Sequence, residues 1–286
     1  MMDALLSSIG SDAPGRQDGD YVDSADGLLH CGKCHAPKER LFQTPAFMRD
    51  TKGDTLRVPS ACPCELERQN KLEAERAERR RVQRAAELRA MGIPDARLQE
   101  CVFTVDDGKD PRTCEICRRY VDRWERIVAD RIGLLMWGAT GCGKTFFAAC
   151  IVNALIEREI GAAITSIPDL TARMTANFGD KREAVLEEVR RVSLLVLDDV
   201  GFERLTPTGI ENAFAIIDAR YDSGKPLIVT TNLTLEEVRN PVDMAHKRTL
   251  SRIAELCAVP VHVEGNRREG ITKERRVRAL EVLLGE

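Results

Sequence analysis

Residues Gly138 to Thr145 read G-A-T-G-C-G-K-T, with an apolar, strand-like run from Ile132 to Trp137 before them and a helix-like run after them. This is the pattern G-x-x-x-x-G-K-[ST] in the setting that gives it meaning, a strand delivering the chain to a loop that opens a helix. Glycines at 138, 141 and 143 let the backbone wrap a polyphosphate with its N–H groups turned inward, because they adopt torsion angles that a side chain forbids. Lys144 then reaches the β and γ phosphates, and the Thr145 hydroxyl can ligate Mg²⁺. The helix that begins there adds its positive dipole end. A chance glycine loop is the competing reading, and it would need neither flank. Gly138, Thr140, Gly141, Cys142, Gly143, Lys144, Thr145 and Phe146 are therefore the candidate contacts of ATP, with Mg²⁺ as its counter-ion.

Around this loop, short β-branched and apolar runs alternate with longer helical patterns. The predicted strands are Ile132–Trp137, Ala162–Ile167, Leu194–Leu197, Leu227–Thr231 and Val259–Val263, with helices near 144–158, 168–178, 181–191, 207–222 and 243–257. Such alternation implies an α/β unit with a five-stranded, mostly parallel sheet covered on both faces. No internal repeat interrupts it.

About fifty residues after the loop comes L-L-V-L-D-D-V-G, residues 194 to 201. An apolar strand ending in acids is a Walker B element. Asp198 is expected to hold the Mg²⁺ shell, and Asp199 to orient or deprotonate the attacking water. A strand end with solvated carboxylates is the bland alternative for V-L-D-D alone. A third strand, L-I-V-T-T-N, ends at Asn232, a polar tip able to hydrogen-bond the γ phosphate or the lytic water.

The ordered series G-A-T-G-C-G-K-T, L-D-D-V-G-F-E-R, R-Y-D-S-G-K-P-L-I-V-T-T-N-L and K-R-T-L-S-R-I resembles the DnaC/IstB-type branch of AAA+ ATPases, bacterial and phage replicative-helicase loaders above all. The resemblance covers roughly residues 93 to 270. It implies that Asn232 is the sensor-1 residue and that an arginine of Lys247–Arg252 acts on ATP held by a neighbouring subunit. Arg252 is the favoured arginine finger, with Arg248 the alternative. Physically, a cation supplied across an interface stabilises charge on the transferring phosphoryl group; the same two arginines also read as an i, i+4 pair on a solvated helix face. Two departures stand out. The second acid is Asp199 where many AAA+ proteins carry Glu, which suits slow turnover. Only about twenty residues follow the last predicted strand, so no full lid domain is expected, as in loaders of this branch. Arg267 or Arg268 could take a sensor-2-like role, although adjacent arginines of this kind are usually solvated.

Ahead of the α/β unit, Cys31-Gly32-Lys33-Cys34 and Cys62-Pro63-Cys64 offer four thiolates. A C-x-x-C knuckle fits two corners of a tetrahedral Zn²⁺ site, and a segment this short and polar needs a metal to supply its folding free energy. The C-x-C half is less usual, so free thiols or a redox pair stay open, and His30 or His35 could replace a weak ligand. Cys114 and Cys117 also form C-x-x-C, but on a stretch that reads as a helix with Ile116, Tyr120, Val121 and Trp124 on its apolar face. Cys101, Cys142, Cys150 and Cys257 read as packing residues.

The domain reading is then a disordered tail over 1–27, a zinc module over 28–64, a charged helix over 65–91 and the AAA+ unit over 92–286. Net charge is −3, so any nucleic-acid contact must come from local patches such as Arg79–Arg81, Arg118–Arg119 or Lys273–Arg278. No apolar run is long enough to span a bilayer and no basic-then-apolar signal opens the chain, so no membrane partner and a cytoplasmic location are expected. The resemblance implies a hexameric replicative helicase, gripped by the N-terminal region, single-stranded DNA, and self-association through the ATP sites as partners. An IstB-type transposase helper and a small-molecule P-loop kinase are the competing functions.

Overall fold

Four short strands in antiparallel pairs build the first of the two units into which the chain divides, Met1–Arg81 and Val82–Glu286. The computed structural model describes residues 17–45, 49, 54–175, 180–201, 206–241, 244–267 and 278–283. In the first unit β1 (Tyr21–Val22) pairs with β2 (Leu29–His30), and β3 (Glu39–Gln43) with β4 (Thr55–Pro59). The ordered module begins ahead of Leu28, where the sequence reading starts it. Asp20 is buried and accepts hydrogen bonds from Gln17 N (2.8 Å), Gly32 N (3.1 Å) and Lys38 Nζ (2.5 Å). A tie of this kind between distant polar residues is invisible to composition, which is why residues 17–27 read as tail. Residues 1–16 of the expected tail lie outside the described residues.

The charged stretch is one helix, α1 (Pro63–Gly92), longer at both ends than its composition marks out. Pro63 occupies its first position, where a missing N–H costs nothing. Its last turns belong to the second unit: Leu88 is buried there, as is Ile93 just beyond the helix.

The second unit continues with α2 (Ala96–Gln99), α3 (Pro111–Asp122) and α4 (Trp124–Ala129) before β5 (Leu134–Trp137). There follow α5 (Lys144–Glu157), β6 (Ala162–Thr165), α6 (Ile167–Thr175), α7 (Asp180–Arg191), β7 (Leu194–Leu197), α8 (Pro207–Ser223), β8 (Leu227–Thr231), α9 (Leu235–Arg239), α10 (Met244–Leu256) and β9 (Val259–His262). The strands form one parallel sheet in the order β6-β7-β8-β5-β9.

Period-two alternation sends the strand side chains into two cores. Leu134 and Met136 of β5, Val196 of β7 and Ile228 of β8 pack on one face against α3 and α5. Leu135, Leu195, Leu197, Leu227 and Val229 pack on the other, against α6, α7, α8 and α10. Local signals set the helix ends. Asp110 caps α3 through Thr113 N, Thr206 caps α8 ahead of Pro207, and Gly224 closes α8 in the left-handed region. Thr234 and Glu237 form a capping box that makes α9 a helix the strand-and-helix reading passed over.

Cys114 and Cys117 are buried on α3, in the core rather than in a second metal site. Arg220 of α8 is wholly buried and donates to the carbonyls of Val189, Val192, Ser193 and Pro226, clipping α8 to the end of α7 and the start of β8. Burial without a carboxylate among these partners pulls its pKa down to about 10. Among the described residues no helix is long and apolar enough to cross a membrane.

Candidate active site

The glycine loop leaves the end of β5 and opens α5, so Lys144 is the first residue of that helix. Gly143 sits at φ 112°, and a Cβ there would come within 2.7 Å of the Arg267 side chain. Glycine is thus required by both torsion and space. Lys144 is buried, and its Nζ lies 2.9 Å from each of three neutral oxygens: Gly138 O, Ala139 O and Asn232 Oδ1. A buried ammonium met by neutral oxygens suits an arriving polyphosphate, whose charge would replace them.

Parallel pairing brings the other candidates to the same sheet edge. Thr145 Oγ1 donates to Asp198 at the end of β7, 2.9 Å from Oδ1 and 3.1 Å from Oδ2. A hydroxyl and a carboxylate at contact distance are the donor set Mg²⁺ takes beside phosphates, so the residues present fit that ion. Asn232, at the tip of β8 between the two, donates Nδ2–H to Asp199 Oδ1 at 2.8 Å. Asp199 is exposed and its backbone is left-handed at φ 51°, a conformation Asp tolerates better than most residues.

One supporting side chain had no sequence signal beyond its place before Asn232. Thr230 donates to Asp198 Oδ1 at 2.6 Å while its hydroxyl accepts from Asp199 N at 2.8 Å, bracing both acids at once.

These groups line a cleft of about 950 Å³. Thr140, Gly141, Gly143, Lys144, Thr145, Phe146, Asp198, Asp199, Thr230 and Asn232 line it together with Asp95, Leu98, Cys101, Val105 and Asp107 from the segment ahead of α3. Cys101 is therefore a cleft residue rather than packing alone. Cys142 turns inward and is buried, its Sγ 3.7 Å from Lys144 Nζ, and Gly138 contributes its carbonyl rather than cleft surface.

The expectation that Arg267 is solvated is overturned. It lines the cleft with a side chain only 10% exposed, stacks over the rings of Phe146 and Phe147, and pairs with Asp106 (2.5 Å) and Asp107 (3.1 Å). Its backbone N–H also donates to Gly141 O. The partners lie some 160 residues earlier in the chain, so adjacency to Arg268 said nothing about them. Arg268 and residues 273–277 of the basic cluster lie outside the described residues.

Arg248 and Arg252 lie on α10, away from this cleft. Arg252 stacks on Tyr221 and pairs with Asp218 at 3.6 Å and Glu255 at 3.9 Å. Arg248 is exposed, with its guanidinium over the Phe214 ring.

In the first unit the four sulfurs of Cys31, Cys34, Cys62 and Cys64 lie within 4.8 Å of one another. The Cys31–Cys64 and Cys62–Cys64 separations, 3.5 and 3.3 Å, exceed the ~2.05 Å of a disulfide and approach the edge of about 3.8 Å that a tetrahedron with Zn–S of ~2.3 Å requires. The knuckle closes because Gly32 passes so near Gly19 O that a Cβ would sit 2.2 Å from it. The N–H groups of Cys34 and Lys33 draw the Cys31 thiol down to about 6, whereas the neighbouring sulfurs push Cys64 up to about 12. A cation is what would let all four ionise together. Neither histidine joins this group of ligand atoms. His30 spends both ring nitrogens, on His35 O and Asp26 (2.9 Å each), and His35 Nδ1 faces the Tyr21 hydroxyl at 3.2 Å.

A parallel sheet carrying a phosphate loop at the end of β5, paired acids at the end of β7 and a polar tip on β8 between them defines a P-loop nucleotide-binding unit of AAA+ type. Residues 65–269 match the family model described as IstB-like ATP binding protein, and the chain belongs to that family. It is 26% identical over 147 residues to the replicative helicase loader DnaI of Bacillus subtilis, covering 48% of this chain and 47% of that protein. It is 30% identical over 126 residues to the replicative helicase loader DnaC of Escherichia coli K12, covering 42% and 49%. The chain thus spans about half the length of these relatives. Among solved structures, that of the DnaC helicase loader superposes with a TM-score of 0.50 at 26% identity, over 59% of this chain and all of that one.

Proposed function

We propose that this chain is an ATP-hydrolysing switch that loads a hexameric replicative helicase onto single-stranded DNA in replication initiation, working as an oligomer. The observation that carries the reading is the meeting of Lys144, Thr145, Asp198, Asp199 and Asn232 in one cleft. The similarity to DnaI and DnaC supplies the cellular task.

When bound, MgATP would supply the phosphoanhydride whose cleavage drives the switch. Lys144 would then exchange its carbonyl partners for phosphate oxygens, and Thr145 and Asp198 would hold the Mg²⁺ shell. Asn232 and Asp199 then hold the attacking water between them, with Asp199 the acceptor of its proton. Arg267, already over Phe146, lines the cleft beside the loop and would offer its guanidinium to a phosphate only by loosening its pairs with Asp106 and Asp107. A cation from α10 of a neighbouring subunit completes the site. Arg248 is the freer of the two candidates, because Arg252 has Asp218 and Glu255 as local partners. The cysteine module, holding one Zn²⁺ through Cys31, Cys34, Cys62 and Cys64, together with α1, grips the helicase.

Co-purification with the hexameric replicative helicase, and ATPase activity that requires single-stranded DNA and is abolished by Lys144→Ala, are the expected results. Failure to bind any such helicase overturns the loader assignment. The family's IstB-like description favours a second reading, an ATPase helper of a transposase; capture of a transposase instead of the helicase would select it.

A further inference from the structure

Asn153 lies two and a half turns into α5, wholly buried, and its amide is spent on segments far away in sequence. Nδ2 donates to Leu98 O at 2.8 Å and to Cys101 O at 2.9 Å, with Ala149 O at 3.1 Å on its own helix. Oδ1 accepts from Arg89 Nε at 3.2 Å, and Arg89 also faces Glu157 at 3.6 Å. Leu98 and Cys101 line the same cleft as Lys144, Asp198 and Asn232.

From this arrangement we infer that Asn153 and Arg89 are positioning residues for nucleotide binding, fixing the 98–101 wall to the same helix that carries Lys144. The inference rests on the cleft being the nucleotide site. Loss of Arg89 would leave the buried Oδ1 without its donor, and loss of both Leu98 O and Cys101 O would leave one of the two Nδ2 hydrogens unmet, so the clamp favours this arrangement. Wall and phosphate loop consequently move as one body. Arg89 is the only member of the clamp contributed by α1. Displacing the C-terminal turns of α1 withdraws that donor, loosens Asn153 and with it the wall, so nucleotide affinity follows the position of the end of α1. Gln99 Nε2, donating to Ile93 O at 2.7 Å, keeps the intervening turn closed and makes the segment from α1 to Cys101 a single strap.

Nucleotide affinity of the full chain, read with a fluorescent ribose-labelled ATP, and steady-state ATPase kinetics test the clamp. Arg89→Ala is expected to weaken binding and raise KM roughly three- to tenfold, the loss of one net hydrogen bond, with a smaller effect on kcat. Arg89→Lys should restore part of the affinity. Asn153→Asp keeps an acceptor for Arg89 but removes the donor to Leu98 and Cys101, and should raise KM at least as much. Because Asn153→Asp could impair folding, Arg89→Ala at its half-exposed position decides the matter. Unchanged affinity and KM in Arg89→Ala, or equal losses of kcat and melting temperature with no KM effect, overturns the inference. Lys144→Ala is the control: if it still binds the analogue, the nucleotide-site reading fails, whereas loss in Lys144→Ala with normal Arg89→Ala sinks the clamp alone.

Discussion

Lys144 Nζ lies 2.9 Å from Asn232 Oδ1, although 88 residues separate them in the chain. Asn232 in turn donates to Asp199 at 2.8 Å. The residue that would meet the γ phosphate and the acid that would take the water's proton are thereby bridged by one amide. In the proposed mechanism nucleotide entry would draw Lys144 off Asn232 Oδ1, which Thr140 Oγ1 also faces at 3.4 Å, while Asn232 Nδ2 keeps its hold on Asp199.

Asn232→Ala should therefore damage turnover more than binding. Loss of one preorganised polar contact to the reacting centre predicts a fall in kcat of roughly 10²-fold, with ATP affinity altered far less. Single-turnover hydrolysis beside equilibrium binding checks this, and a variant that hydrolyses normally but binds poorly would contradict the assigned role. Asn232→Ala combined with Asp199→Asn should be little worse than either alone, since the two act as a unit.

Metal removal should act on one unit and leave the other intact. Elemental analysis is expected to return about one zinc per chain with a tetrathiolate site, lost in Cys31→Ser/Cys34→Ser. Chelation should unfold the module around Cys31–Cys64, followed by proteolysis, without abolishing nucleotide binding by the unit from Val82 on. An unchanged digestion pattern in the metal-free chain would argue for plain thiols.

Asp110 supplies a pH test. Its carboxylate caps α3 through Thr113 N at 2.9 Å and accepts from Glu264 N at 3.1 Å. Burial by itself raises its pKa, but these N–H donors and the Thr113 hydroxyl outweigh it and hold the value below the ordinary 3.8. A carboxylate held below its unfolded value stabilises the fold above about pH 4 and loses that contribution as pH falls through the folded value. Asp110→Ala should cost about 1 kcal/mol near pH 7, and the difference in melting temperature from the parent should shrink as pH is lowered from 6 toward 3. A gap that does not change with pH would show that the charge plays no part.

Arg220 is the residue whose loss should be felt across the second unit. Arg220→Leu keeps the bulk but leaves the carbonyls of Val189, Val192, Ser193 and Pro226 without their donor. The expected penalty is about 3 kcal/mol or more, in line with breaking a buried network. Chemical denaturation would measure it, and a loss below 1 kcal/mol would mean water replaces the guanidinium.

Much of the second unit is legible from the chain alone, because its signals are local. Apolar runs such as Leu194–Leu197 stay buried on both faces and so need no partner to be recognised as strands. Gly143, Lys144 and Thr145 announce phosphate chemistry by spacing within one turn. Arg267 was misread for the opposite reason. Its surroundings in sequence, E-G-N-R-R-E, describe a solvated segment, while its actual partners Asp106 and Asp107 come from a segment some 160 residues earlier. Thr230 and Asn153 are silent for the same reason: a threonine in a strand and an asparagine in a helix acquire meaning only from what packs against them. In the first unit the four cysteines are recognisable by type, whereas only the folded arrangement shows that His30 and His35 stand outside their group.

The phosphate loop, the paired acids at 198 and 199, the parallel α/β class and the family are thus properties of the sequence, since each depends on residue type at short spacing. Strand order decided the rest. Placing β8 between β5 and β7 sets Asn232 between Lys144 and Asp199, and returning the chain after β9 lays Arg267 on Gly143. These contacts span 33 to more than 120 residues, and only the closing of the parallel sheet brings such groups within hydrogen-bonding and packing distance.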